Sequence, residues 1–169
     1  MAQVIRRCIC RCGFGKGKNG MEKQEMNEVQ FVVPGNPVGK GRHKTARRGK
    51  FLTHYTPEKT ANYESLVAHA AHVAMSGRSL IAGPVAMELD IRLQIPKSWS
   101  KKKQEQAAEG LIAATKKPDC SNVLKAIEDG MNGVVYNDDV QIVKSSQSKR
   151  YSQTPGVVVI VRELELMSA

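Results

Sequence analysis

Lys116-Lys117-Pro118-Asp119-Cys120-Ser121-Asn122-Val123-Leu124-Lys125-Ala126-Ile127-Glu128-Asp129-Gly130-Met131-Asn132-Gly133-Val134-Val135-Tyr136-Asn137-Asp138-Asp139-Val140-Gln141 is the stretch on which the reading of this chain turns. From Ser121 the sequence turns helical. At about 100° per residue, Asn122, Lys125, Asp129 and Asn132 fall on one side of a wheel, and Val123, Leu124, Ile127 and Met131 on the other. A helix with one apolar side needs a second layer to cover it. Gly133 ends the helix, and Val134-Val135-Tyr136 brings the chain back toward Asn137-Asp138-Asp139. Acids therefore stand at both ends of one short helix.

The covering layer is a sheet. Between Pro84 and Pro96, Val85, Met87, Leu89, Ile91, Leu93 and Ile95 alternate with Ala86, Glu88, Asp90, Arg92 and Gln94, a strand with one buried and one wet face. Val29–Val33 is a shorter strand closed by Pro34-Gly35-Asn36-Pro37. Val140–Lys149 and Val157–Leu166 read as two more strands around a Thr154-Pro155-Gly156 turn. Thr56-Pro57-Glu58 starts a helix, with Thr as the cap, Pro at the first helical position and an acid at the positive end of the dipole. Tyr63, Leu66, Val67, Ala70, Val73 and Ala74 give its apolar face, and Gly77 stops it. His69 and His72 lie three apart on that helix without a third partner nearby in sequence and read as surface or boundary histidines. Ser98–Glu109 reads as a polar helix capped by Ser98 or Ser100. The order of elements predicts an α+β fold: a small mixed β-sheet packed against helices, in one domain.

At 169 residues the chain can bury one core but not two. Residues 1–28 read as a disordered basic tail and 29–169 as the globular unit. The tail glycines fit no phosphate-loop spacing, and Met21 and Met26 are candidate starts of translation. Cys8, Cys10 and Cys12 lack zinc-site spacing and a following His, and Cys120 stands far away, so neither a structural metal nor a disulfide is expected. No apolar run is long enough to span a membrane, and Arg6-Arg7 is followed by no apolar core or cleavage site, so the chain is read as cytoplasmic.

The formal net charge of +10 points to a polyanionic partner, because Lys and Arg on phosphates gain counterion release. The charge is clustered. The glycine-spaced segment Val38–Lys50 carries Lys40, Arg42, Lys44, Arg47, Arg48 and Lys50, and is expected to be a loop lying on a phosphate backbone; Lys116, Lys117, Lys149 and Arg150 are further DNA-binding candidates. A generic RNA-binding domain would want an aromatic stacking platform, and eight aromatic residues, Trp 1, Tyr 4 and Phe 3, offer little for one.

Against this basic background Asp119, Asp138 and Asp139 suit metal-assisted phosphodiester hydrolysis. Mg²⁺ takes oxygen ligands and keeps several waters, so two or three carboxylates and a phosphate oxygen suffice. Lys125 can stabilise charge on the phosphate. The alternative is structural: Asp119 caps the helix, and Asp138-Asp139 make a turn before a strand.

The polar residues of the stretch, Pro118-Asp119, Asn122, Lys125, Asp129, Asn132-Gly133 and Asp138-Asp139-x-Gln141, resemble the signature of the RusA family of Holliday-junction resolvases. Pro37–Arg42 and Tyr55–Thr60 are similar to the phage-type members. The likeness covers about residues 29–166. It implies a homodimeric, Mg²⁺-dependent endonuclease, with Mn²⁺ as a substitute, that nicks two opposed strands of a four-way junction in a bacterial or phage-infected cell. It also implies that Asp119, residue 121 and Asp139 are the essential acids, with Asp138 beside them and Lys125 as the essential cation. Residue 121 is Ser where the family has Asp. Serine caps a helix as well as aspartate but removes one charge and one strong ligand. Two expectations follow: an active resolvase with Ser121 as a weak catalytic ligand, or a junction-binding protein with impaired cleavage.

Overall fold

The computed structural model describes residues 28–42, 44–48 and 51–165. The tail with Cys8, Cys10 and Cys12, as well as Lys50 and Leu166, lies outside the described residues. The fold is α+β, as the order of elements implies. Four strands form one mixed sheet: β1 (Glu28–Pro34), β4 (Val85–Gln94), β5 (Ile142–Ser152) and β6 (Gly156–Glu163), in the order β1-β6-β4-β5. Two more, β2 (Lys44–Arg48) and β3 (Phe51–Tyr55), pair antiparallel with Lys44 opposite Tyr55 and Arg48 opposite Phe51. The basic segment expected to be a loop is therefore in part a strand. Backbone pairing makes it so, and its run of cations shows no apolar alternation that would have announced it.

In the sheet, β6 is antiparallel to both β1 and β4, whereas β5 runs parallel to β4. A parallel neighbour needs a long crossover. Here it contains the helices α2 (Lys101–Ala108) and α3 (Cys120–Met131). The Thr154-Pro155-Gly156 turn does not close a hairpin, because β4 lies between β5 and β6. It vaults the end of β4, a step of about 10 Å across two strand spacings. Alternation holds in β1 and β4, whereas β6 is buried at consecutive residues from Gly156 to Val159 and β5 is exposed over most of its length. Val29, Phe31 and Val33 of β1, Val85, Met87, Leu89, Ile91 and Leu93 of β4, and Val157, Val159 and Val161 of β6 are buried on the face that meets the helices. Glu88, Asp90, Arg92 and Arg150 alternate onto the other face.

The helix α1 (Glu58–Met75) packs on α3 and β1, and α2 and α3 both reach β5. Pro57, not Thr56, holds the cap position of α1, and its carbonyl accepts from the amides of Thr60 and Ala61 at 2.9 and 3.1 Å. The apolar face is also rotated from expectation. Thr60, Tyr63, Val67, Ala71 and Met75 are buried, while Leu66 is 37% and Val73 62% exposed. Gly130 explains the choice: a Cβ there would lie 2.8 Å from Val67 Cβ and 2.9 Å from the Glu64 carbonyl, so α3 presses its backbone onto that line of α1. His69 and His72 are exposed, as expected. In α3, Asp119 is the residue at the N-cap, which puts Ser121 second in the helix and not at its cap.

Candidate active site

The polar side of α3 carries the site. Lys125 Nζ lies 2.6 Å from Asp139 Oδ2, 3.6 Å from Glu128 Oε2 and 3.7 Å from Asp129 Oδ1. The Lys40 ammonium pairs with Asp129 Oδ2 and lies 3.6 Å from Glu64 Oε1 on α1. Two lysines thus sit among four carboxylates contributed by α1, α3 and the turn before β5. In a chain of net charge +10 this network is short of cations.

Local chemistry holds each part. Lys40 N–H donates to the Asn122 carbonyl at 2.8 Å, and a Cβ at Gly39 would lie 3.0 Å from Asn122 Cβ. The Pro37–Arg42 segment thus lies close against the first turn of α3, where a side chain at residue 39 would push Asn122 aside by a few tenths of an ångström. At the other end Gln141 works as a two-sided clamp. Its Oε1 accepts from the amides of Asn137 and Asp138 at 2.8 and 3.1 Å, and its Nε2 donates to the carbonyls of Ile81 and Gly83 at 3.0 and 2.9 Å. This fixes the turn that presents Asp138 and Asp139. Beneath the network, the buried Tyr136 hydroxyl donates to the Glu128 carbonyl at 3.0 Å. Desolvation, reinforced by Glu128, Asp139 and Asp129, pushes its pKa far up and keeps it neutral. Burial likewise pushes Tyr63 up to about 12.

The Lys125 ammonium holds the Asp139 carboxyl below the usual range, helped by a hydrogen bond with Asp138, and Asp139 in turn raises Lys125. Both are charged at neutral pH. Asp119 occupies the N-cap position, yet its side chain makes no capping bond; its Oδ2 accepts from Asn122 Nδ2 at 3.4 Å. The carboxylate is not spent on holding the helix. Ser121 is exposed in the first turn.

Among the described residues, no three His, Cys, Asp or Glu side chains are arranged to hold a metal by themselves. The donors present are carboxylate oxygens with an excess of negative charge. That fits a hydrated, hard divalent ion that completes its shell with water and phosphate oxygens, and does not fit a cage built wholly from protein.

The expected DNA contacts separate into groups. Lys40 is engaged inside the network. Arg42, Lys116 and Lys117 are exposed. Lys149 Nζ donates to the carbonyls of Lys116 and Pro118 at 3.0 and 3.1 Å, bracing the irregular segment that leads into α3. Arg150 is on the opposite sheet face, bound through Nε and Nη2 to Asp90 at 3.0 and 2.7 Å. Lys44, Arg47 and Arg48 belong to β2, and their side chains lie outside what is described. Sequence reasoning missed Glu64 and the pairing of Lys40 with Asp129, which joins residues 89 apart and leaves no local signal. It also missed Glu128, although its spacing of three from Lys125 was there to be read.

Comparison with known proteins places the chain in a family. Residues 34–162 match the family model described as endodeoxyribonuclease RusA, a span that contains every residue of the network. The chain is 37% identical over 141 residues to the uncharacterized protein YqaN of Bacillus subtilis strain 168, covering 82% of this chain and 99% of that one. With its α+β fold and a family match that spans most of its length, the chain belongs to the RusA family of endodeoxyribonucleases.

Proposed function

We propose that the protein cuts branched DNA, nicking two opposed strands of a four-way junction as a homodimer, with Mg²⁺ or Mn²⁺ as cofactor. The observation that carries this is the cation-poor network around Lys125, inside a strongly basic member of an endodeoxyribonuclease family. Two-fold symmetry of a dimer matches two symmetric cuts.

Asp119 and Asp139, with Asp138 beside it, would hold the ion, which when bound supplies charge to the scissile phosphate and lowers the pKa of a water. The chain's own residues do the rest. Lys125 keeps Asp139 ionised and offers an ammonium to negative charge on the phosphate. Lys40 engages Asp129, which leaves Asp139 as the closest carboxylate to Lys125. Gln141 holds the acidic turn in place. Ser121 contributes a neutral hydroxyl in the first turn of α3, where it can donate to a phosphate oxygen.

Cleavage of a synthetic four-way junction tests this reading. Nicking should require the divalent ion and be lost in Asp139→Asn, while junction binding persists. Wild-type cutting by Asp139→Asn would remove that residue from the site.

A second reading, a junction-binding protein with impaired cleavage, is favoured by Ser121 and by the lack of a three-acid group among the described residues. Ser121→Asp separates the two. A gain of about tenfold or more in cutting with unchanged binding marks the serine as an impairment; equal rates show that the site needs no acid there.

A further inference from the structure

A second cationic surface lies beside the first turn of α3, built around Trp99, the chain's one tryptophan. Lys103 Nζ lies 4.4 Å and Lys116 Nζ 5.1 Å from the centroid of its ring, and Tyr151 packs edge-on at 5.2 Å between centroids. Gln104 Nε2 donates to the Trp99 carbonyl at 2.7 Å, tying the tryptophan to α2. Lys101, Lys102 and Lys103 fill the first turn of that helix, where no acid stands and where the dipole disfavours cations. Lys116 and Lys117 continue the surface. Among the described residues these five lysines form no ion pair, whereas Lys40, Lys125, Arg92, Arg150 and Arg162 are all paired with carboxylates.

A solvated run of lysines would be free to spread apart. Here two ammonium groups from separate segments are held over one aromatic ring, at a cost in mutual repulsion that an anion would offset. The surface also reaches the reaction site: Lys116 is three residues from Asp119, at most about 11 Å of extended chain.

We propose that the surface made by Trp99, Lys101–Lys103 and Lys116-Lys117 binds the phosphate backbone of DNA next to the strand to be cut, with Trp99 aligning Lys103 and Lys116. This rests on the reading of the chain as a DNA nuclease. It adds a contact surface on α2 that is separate from the basic Lys40–Arg48 segment.

The single tryptophan makes the test direct. A synthetic four-way junction is titrated against wild type, Lys101→Gln/Lys102→Gln/Lys103→Gln and Lys44→Gln/Arg47→Gln/Arg48→Gln, following Trp99 emission, its quenching by acrylamide, and Kd against salt. Wild-type Trp99 should change emission and become shielded. The α2 triple variant should bind more than tenfold weaker at low salt, with its log–log salt slope reduced by about two to three, near 0.9 per lost phosphate contact. Tight binding with unaltered Trp99 emission, or an unchanged slope in the α2 variant while the β2 variant loses its own, overturns the surface and leaves the nuclease reading intact. Absence of junction binding by wild type overturns both.

Discussion

Two ion-pair networks lie on opposite sides of the sheet, and they are built differently. On the face turned away from the helices, Arg162 bridges Glu28 and Glu88 at 2.9 Å each, and Asp90 is held by Arg92 and Arg150 at 2.9 and 2.7 Å. They form two clusters, Arg162 with two carboxylates and Asp90 with two guanidinium groups, which together set three arginines against three acids on strands that are neighbours in the sheet. On the helix side, two lysines meet four carboxylates brought from separate parts of the chain. Arginine forks close on their partners and saturate them, whereas an ammonium is a point charge that can be shared or moved. The balanced set is complete as it stands. The unbalanced set has negative charge left over for a cation and sits where Asp139 is open to solvent.

The comparison breaks most visibly if a residue is removed from each side. Asp139→Asn should lower the cleavage rate by roughly 10³-fold, the order expected when a preorganised charge is taken from the reacting centre. Its urea midpoint should move no more than removal of a surface ion pair allows, because the carboxylate is partly exposed and its partner Lys125 more so. Asp90→Asn should leave cleavage unaltered and lower the midpoint by a similarly small amount. A loss of cleavage in Asp90→Asn with none in Asp139→Asn would exchange the roles of the two networks. Lys125→Met should cost about 10²-fold in rate, with junction affinity falling much less. A loss of binding as large as the loss of rate would make Lys125 a plain DNA contact.

Gly130→Ala probes the joint beneath the helix-side network. Alanine is the better helix former by about 1 kcal/mol, but its methyl would press on Val67 and the Glu64 carbonyl. Overpacking of this kind costs about 1–3 kcal/mol, so after the propensity gain a net loss of up to about 2 kcal/mol is expected in urea unfolding. Displacement of α3 from α1 should also weaken the Lys40 contacts that join Glu64 to Asp129. A stability gain would show that the two helices are not in close contact at Gly130.

Sequence carried the sheet well where one face is buried, because alternation in β4 and β1 is a direct trace of that burial. It carried α3 for the same reason. On α1 it could not choose between two apolar stripes: Leu66 and Val73 are as apolar as Val67 and Ala71, and the close approach of Gly130 selects the second. The β2–β3 hairpin stayed hidden, since backbone pairing leaves no mark on a run of lysine and arginine. Within the site, Lys125 and the acidic residues were legible as types and spacings. In the sequence Lys40 has the look of a DNA contact, because its partners, Glu64 and Asp129, are brought to it only by the folded chain.

The smallest effect tests the balanced side alone. Arg150, foremost, and Arg92 hold the Asp90 carboxyl below its ordinary value of about 4. A carboxylate with a depressed pKa in the folded state stabilises the fold above its unfolded value, and that contribution disappears as pH falls through the folded one. Wild type should therefore exceed Asp90→Asn by the size of a favourable surface pair, about 0.5–1 kcal/mol, from neutral pH down to about 5. Below about 4 the two urea midpoints should converge as Asp90 takes up its proton. Added salt should narrow the gap at neutral pH. A gap that persists in acid would mean that Asp90 acts through shape and hydrogen bonding, and that the sheet-side network owes little to charge.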